Sequence, residues 1–261
     1  MNFSWIVPIG ENEQAKQIKR CLNALGSIAD ANDEIVIISN TSNRLIAEAE
    51  ISKFNCIISY VDHPEMKTPG AARNAGLRLA RYDRIIFQDV DDVPMVHRRK
   101  FCNEALLHPG SILACGYEVI LNDRSIGFRT PKGGQNSFFF RTNVFLPAAA
   151  VYLASKNQSF ENDLIVGEDT LFFAKLLIDG YQIIYSDRYA VSYFISNKKI
   201  KVRHGIVAAL NEWKFRKRLI AMAPNVKNKF FAFIGCLIVI TLKLLPFCIF
   251  KRIYGKAHVQ N

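Results

Sequence analysis

The chain has no Cys-x-x-Cys pair, no Cys/His cluster, no Gly-x-Gly-x-x-Gly turn and no phosphate loop ending in Gly-Lys-Ser/Thr. The first two absences exclude structural zinc and dithiol redox chemistry, and the last two exclude the common dinucleotide and P-loop nucleotide folds. Six cysteines are scattered singly and read as buried free thiols. The opening MNFSWIVPIGENE has no basic segment leading into a long apolar run, so no secretory signal and a reducing, cytoplasmic setting are expected. No low-complexity tract and no fixed-period repeat occur, and half of the 261 residues are apolar, which excludes disorder and solenoids. One α/β domain with an appendage fits this length.

Acidic residues all but vanish beyond residue 205. Residues 206–261 hold ten Lys/Arg against Glu212 alone, whereas residues 1–205 hold 24 against 22. Of the net charge of +11, +9 therefore belongs to the tail. A nucleic-acid enzyme spreads its basic residues over the face of its site, so nucleic acid is not an expected partner.

Apolar runs at Phe3–Val7, Glu34–Ile38, Cys56–Val61 and Arg84–Phe87 read as strands, and Gln14–Leu25, Arg44–Lys53 and Gly70–Arg81 read as helices between them. Such alternation predicts a mostly parallel central sheet with helices on both faces, in which ligands bind beyond the carboxyl ends of the strands. From Leu113 on, LACGYEVIL, SIGF and SFFF read as strand-like pieces of a more antiparallel half, followed by a helix at Asp169–Ile178 and a strand at Gln182–Tyr185.

Asp89, Asp91 and Asp92 stand at the end of the fourth strand. Three carboxylates so close repel one another unless a cation stabilises them, so either a hard divalent metal or a solvated, helix-capping turn accounts for them. Glu168 and Asp169 open the later helix, where acids also serve as caps that complement the helix dipole.

Taken together, Ile6-Val7-Pro8-Ile9-Gly10-Glu11-Asn12-Glu13, Thr68-Pro69-Gly70-Ala71-Ala72-Arg73-Asn74-Ala75-Gly76, Asp89–Asp92 and Gly167-Glu168-Asp169 resemble, over residues 3–205, the family 2 glycosyltransferases with the GT-A fold, of the bacterial cell-surface polysaccharide type. The resemblance implies an inverting transfer of a sugar from a nucleotide-diphosphate sugar. It places a divalent metal, Mn2+ or Mg2+, on Asp91 with Asp89 and Asp92. It makes Asp169 the base that deprotonates the acceptor hydroxyl, with Glu168 orienting it or the acceptor. Pro8, Glu11, Asn40, Arg73 and Asp89 would line the nucleotide. Asp89 holds either the metal or the ribose, and Arg73 is either a phosphate contact or an ordinary helix-surface arginine. The family has two aspartates and a glycine after its second strand; here Ser39-Asn40-Thr41-Ser42 stands there, and the Asn40 amide can pair with a base. His204 either touches metal or phosphate or is structural.

The resulting division is a 1–205 transferase domain, with a nucleotide-binding half at 1–100 and an acceptor-binding half at 101–205, and a 206–261 tail. Within the tail, 230–250 carries one charge, Lys243, over 21 residues, a length that can span a bilayer. Lys243 and Pro246 also allow a helix lying in the interface, or a buried helix. The basic flanks favour a membrane-associated tail at the cytoplasmic face of the cell membrane, and with it a glycan or lipid-linked saccharide as acceptor. A membrane-tethered sugar- or nucleotide-binding module without catalysis is the alternative.

Overall fold

The computed structural model describes residues 1–39, 44–52, 54–62, 67–131, 138–139 and 148–258, with side chains to residue 253. Strands β1 (Ser4–Ile9), β2 (Glu34–Ser39), β3 (Ile57–Asp62) and β4 (Arg84–Phe87) alternate with helices α1 (Ala15–Ile28), α2 (Arg44–Ile51) and α3 (Pro69–Leu79). They pair in parallel in the order β3-β2-β1-β4. Alternation along β1 sends Trp5, Val7 and Ile9 into the core under α1, and Ile6 into the core on the opposite face. Helices thus cover both faces, as expected.

The second half is the more antiparallel one, as expected from Leu113 on. After β5 (Val93–Pro94) and α4 (Arg98–Ala105) come β6 (Ser111–Leu121), β7 (Arg124–Arg129), β8 (Ala149–Tyr152), α5 (Glu168–Ile178) and β9 (Gln182–Ile195). β8 inserts antiparallel between β4 and β6, β7 pairs antiparallel with β6 and β5 with β9, and only β6 and β9 run parallel. Four of the eight described pairings are antiparallel, so the sheet is mixed. β8 reads AAVY, and small residues give no strand periodicity to read. Phe138 and Phe139 are helical, not extended.

Pro8 marks where the site opens. β1 pairs with β4 only as far as Ile6 opposite Phe87, while its pairing with β2 continues to Ile9. Proline has no N–H to give a second neighbour and is tolerated where that neighbour has ended. Beyond this point the chain leaves β4 as the turn Gln88–Asp92.

Helices α6 (Asn197–Val202), α7 (Ile206–Met222), α8 (Val226–Leu244) and α9 (Phe247–His258) complete the chain. Phe215, Leu219, Ala223 and Ala232 belong to the same buried cluster as Ile6, Phe87, Phe160, Phe172 and Phe173. Phe160 stacks on Phe172 at 4.0 Å between ring centroids, and Phe87 meets both edge-on.

Among the described residues no helix is long and apolar enough to cross a membrane. The apolar run 230–250 is divided at Leu245-Pro246, leaving Phe230–Leu244 in α8. Fifteen helical residues rise about 22 Å, short of a hydrocarbon core of about 30 Å. Lys243 lies 3.5 Å from Glu212 on α7. The spanning form of the tail is therefore corrected: the run is a broken helical pair, with its one charge turned inward.

Candidate active site

The turn after β4 is fixed from beneath. Arg98, fully buried on α4, donates to the Gln88 side chain and to the Phe87 carbonyl, and the Gln88 amide donates to the carbonyls of Asp89 (2.8 Å) and Asp92 (3.3 Å). An unpaired buried guanidinium is costly, and carbonyl dipoles replace the missing carboxylate here. The result is a rigid turn whose three carboxylates converge.

One oxygen each of Asp89, Asp91 and Asp92 lies within 4.8 Å of the others. Asp89 accepts from Arg73 at 2.7 Å. Asp91 is paired with the Lys199 ammonium. Asp92 is wholly buried; its Oδ1 accepts from the Phe194 N–H at 2.8 Å, while Oδ2 is buried without a partner. Burial, and then Asp91 and Asp89, raise the Asp92 pKa well above the usual carboxylate range. An orphaned, buried carboxylate oxygen beside two more carboxylates is the donor set of a hard divalent cation. The residues present fit such an ion.

The Glu168–Asp169 pair reaches the same place from the other half of the sheet. Gly167, at φ +77°, turns the chain into α5, and a Cβ there would lie 2.2 Å from the Phe215 ring, so glycine is required on both counts. Glu168 accepts from Arg73 at 2.8 Å. Its pKa is pushed up to about 7 by burial, then by Asp169, against the opposing pull of Arg73. Asp169 accepts from the Thr170 N–H at 2.7 Å, and burial raises its pKa against Arg73.

Arg73 is neither a surface arginine nor, in this geometry, a free phosphate contact. It is 4% exposed, and both terminal nitrogens are taken by Asp89 and Glu168. Burial would lower its pKa, but the two carboxylates outweigh that and raise it. The neighbouring Asn74 holds the 160–162 loop through the Phe160 backbone and Asn162.

The remaining expectations divide. Pro8 lies at the open end of β1, and Glu11 is exposed in the following turn. Asn40 lies outside the described residues. His204 touches neither carboxylate cluster: its Nε2 is 2.6 Å from the Leu245 carbonyl and its ring packs on Phe247 and Phe250, which makes it structural. Two residues escaped the sequence reading. Glu13, not Glu11, senses Asp91 and Asp89, and burial together with those acids lifts its pKa to about 7. Lys199 lies in the basic stretch NKKIKVR, where nothing distinguishes it from Lys198 or Lys201.

Residues 4–156, more than half of the chain, match the family model described as Glycosyl transferase family 2. No curated protein matches the sequence. Among solved structures, S. aureus TarS is similar at 22% identity and a TM-score of 0.59 over 89% of this chain. The chain spans only 44% of that protein, and 88% of TarS 1–349 in complex with UDP-GlcNAc, at 17% identity and a TM-score of 0.59 over 99% of this chain. The mannosyltransferase PcManGT from Pyrobaculum calidifontis, in complex with GDP-Man and Mn2+, is similar at 14% identity and a TM-score of 0.56, over 98% of this chain and 83% of its own. At these identities the likeness establishes the GT-A-like fold.

Proposed function

The chain belongs to glycosyl transferase family 2, and from that premise we propose that it is an inverting enzyme that moves a sugar from a nucleotide-diphosphate sugar to a membrane-borne glycan or lipid-linked saccharide. The observation that carries this reading is the meeting of two acidic motifs from opposite halves of the sheet on one guanidinium, that of Arg73. In the proposed division, residues 1–100 take the nucleotide and 101–205 the acceptor.

Asp89, Asp91 and Asp92 would hold the divalent ion, which stabilises the charge gathering on a departing diphosphate. Neighbours solved with UDP-GlcNAc and with GDP-Man and Mn2+ support that assignment. Asp169 takes the proton from the attacking acceptor hydroxyl, and its burial lifts its basicity toward that task. Arg73 fixes Glu168 beside it, and so sets the base relative to the metal-binding turn. Pro8, Glu11 and Asn40 are assigned to the nucleotide on the strength of the family resemblance.

The tail is proposed to lie on the cytoplasmic face of the cell membrane. One side of α8, with Asn228, Ala232, Gly235 and Cys236, is buried, and the other exposes Val226, Phe230, Phe233, Leu237 and Leu244 at helical spacing. Lys227 and Lys229 flank that stripe, matching the charge of an anionic leaflet.

Purified full-length protein, offered a panel of nucleotide-diphosphate sugars with Mn2+ or Mg2+, is expected to release nucleotide from at least one of them. Neither binding nor release across the panel would remove the enzymatic reading and leave a module that kept only the fold.

A further inference from the structure

The ammonium of Lys199 stands where the proposed metal's charge is needed. The last residues of β9 and the short helix α6 fold over the acidic turn as a strap. The Phe194 N–H donates to Asp92, the Phe194 carbonyl accepts from Lys199 Nζ at 2.9 Å, and Ser196 caps α6 by accepting from the Lys199 N–H at 3.2 Å. Arg20 pins the same segment: its guanidinium lies 3.4 Å above the Phe194 ring and donates to the Asp91 carbonyl at 3.0 Å. The strap is thereby held at one end by Asp92 and delivers the ammonium to Asp91.

Every carboxylate of the cluster is thus accounted for differently. Asp89 is neutralised by Arg73, Asp91 by Lys199, and Asp92 keeps one buried oxygen with no partner. Arg73 is locked by two carboxylates, one of them on another helix. Lys199 is different: its side chain is 32% exposed and its anchor is a six-residue helix. A divalent ion and an ammonium cannot share Asp91, because like charges a few ångströms apart in a partly buried site repel strongly. Whichever binds displaces the other.

We propose that Lys199 is a tethered cation that competes with the divalent ion for Asp91, and that ion binding releases its ammonium to the diphosphate which the ion brings with it. This rests on the metal reading above. The bond to Asp91 is given up as the ion arrives, and the freed positive charge meets the negative charge of the nucleotide. Lys199 then opposes the bare ion and favours the ion with its nucleotide, which makes the two bind as one.

The experiment measures Mn2+ binding by electron paramagnetic resonance on the full chain, without and with UDP, in the wild type, Lys199→Met and Lys199→Arg. Thermal melting checks that each variant is folded. Lys199→Met is expected to bind Mn2+ alone roughly tenfold more tightly, the gain if Asp91 is free of Lys199 about a tenth of the time. It is expected to gain less affinity than the wild type when UDP is added. Lys199→Arg, which keeps the charge, is expected to behave as the wild type toward Mn2+ alone. Equal or weaker Mn2+ binding by a folded Lys199→Met overturns the proposal while leaving the metal reading intact. No Mn2+ binding by any of the three overturns both.

Discussion

Asp89 and Glu168, from opposite halves of the chain, accept hydrogen bonds from the two terminal nitrogens of the same buried arginine, Arg73, at 2.7 and 2.8 Å. The acidic turn after β4 and the helix carrying the proposed base are therefore one electrostatic unit. Arg73→Met would leave the buried Glu168 and the half-buried Asp89 without their counter-ion, which costs about 3–5 kcal/mol. Urea denaturation of the variant should show a loss of that size, and a loss under 1 kcal/mol would mean that the two motifs are positioned independently.

Asp169→Asn keeps the side-chain shape and removes the basic oxygen. Transfer to acceptor should fall by about 10² to 10⁴-fold with donor affinity unchanged. Transfer at the wild-type rate would leave Asp169 as a helix cap serving the Thr170 N–H alone.

Without a divalent ion, Arg73 and Lys199 are held by Asp89 and Asp91, so neither positive charge is released to a nucleotide diphosphate. Calorimetry should detect nucleotide-sugar binding with Mn2+ present and none with excess chelator. Asp91→Asn should weaken binding in the presence of metal, and identical heats in all three conditions would detach the cluster from the metal.

Glu13 has a folded-state pKa of about 7, raised above its ordinary value of 4.5 by burial first and by Asp91 second. A raised carboxyl pKa means that the folded chain holds the proton more tightly than the unfolded chain does. That contribution is fully present below about pH 4.5 and is lost as the pH rises through about 7. Metal-free protein should lose stability across this window, and Glu13→Gln should flatten the loss. An unchanged pH profile in the variant would place Glu13 in solvent.

Vesicles test the tail. Full-length protein should sediment with vesicles containing anionic lipid and remain free of neutral ones, and Phe230→Glu with Phe233→Glu should abolish sedimentation without affecting nucleotide binding. A dimer in light scattering that the same pair of substitutions dissolves would assign the stripe to a second copy.

Much of this architecture is legible in the sequence because buried parallel strands are unbroken apolar runs, as in EIVII, and because acids at a strand end carry an electrostatic cost that demands an explanation. β8 is not legible, since Ala149, Ala150 and Val151 owe their strand to the edges of β4 and β6 and not to any pattern of their own. Glu13 lies inside the Ile6–Glu13 stretch, but which acid of a turn faces inward depends on backbone angles that the sequence does not display, and Glu11 is the exposed one. Arg73 was recognised as a site residue and misjudged in its partners, because Glu168 approaches only through α5. Lys199 could be found only from the fold, since its partner Asp91 lies 108 residues away. In the tail, the spanning length counted from 230 to 250 is broken at Pro246, the residue that also allows an interfacial or a buried helix.

The cluster that joins Ile6 on the first strand to Phe215, Leu219 and Ala232 on the last long helices also bears on the order in which the chain can assemble. Contacts so distant along the chain form slowly, because a long loop must close before they repay its entropy. A growing chain would have released Asp89, Asp91, Asp92, Glu168 and Asp169 before the helix that seats Gly167 against Phe215 was made. Glu168 and Asp169 would therefore reach their places only in the final stage of synthesis, when the same helices present their apolar stripe. The acidic pair and the apolar stripe would be completed together, and a chain interrupted before α7 would have neither.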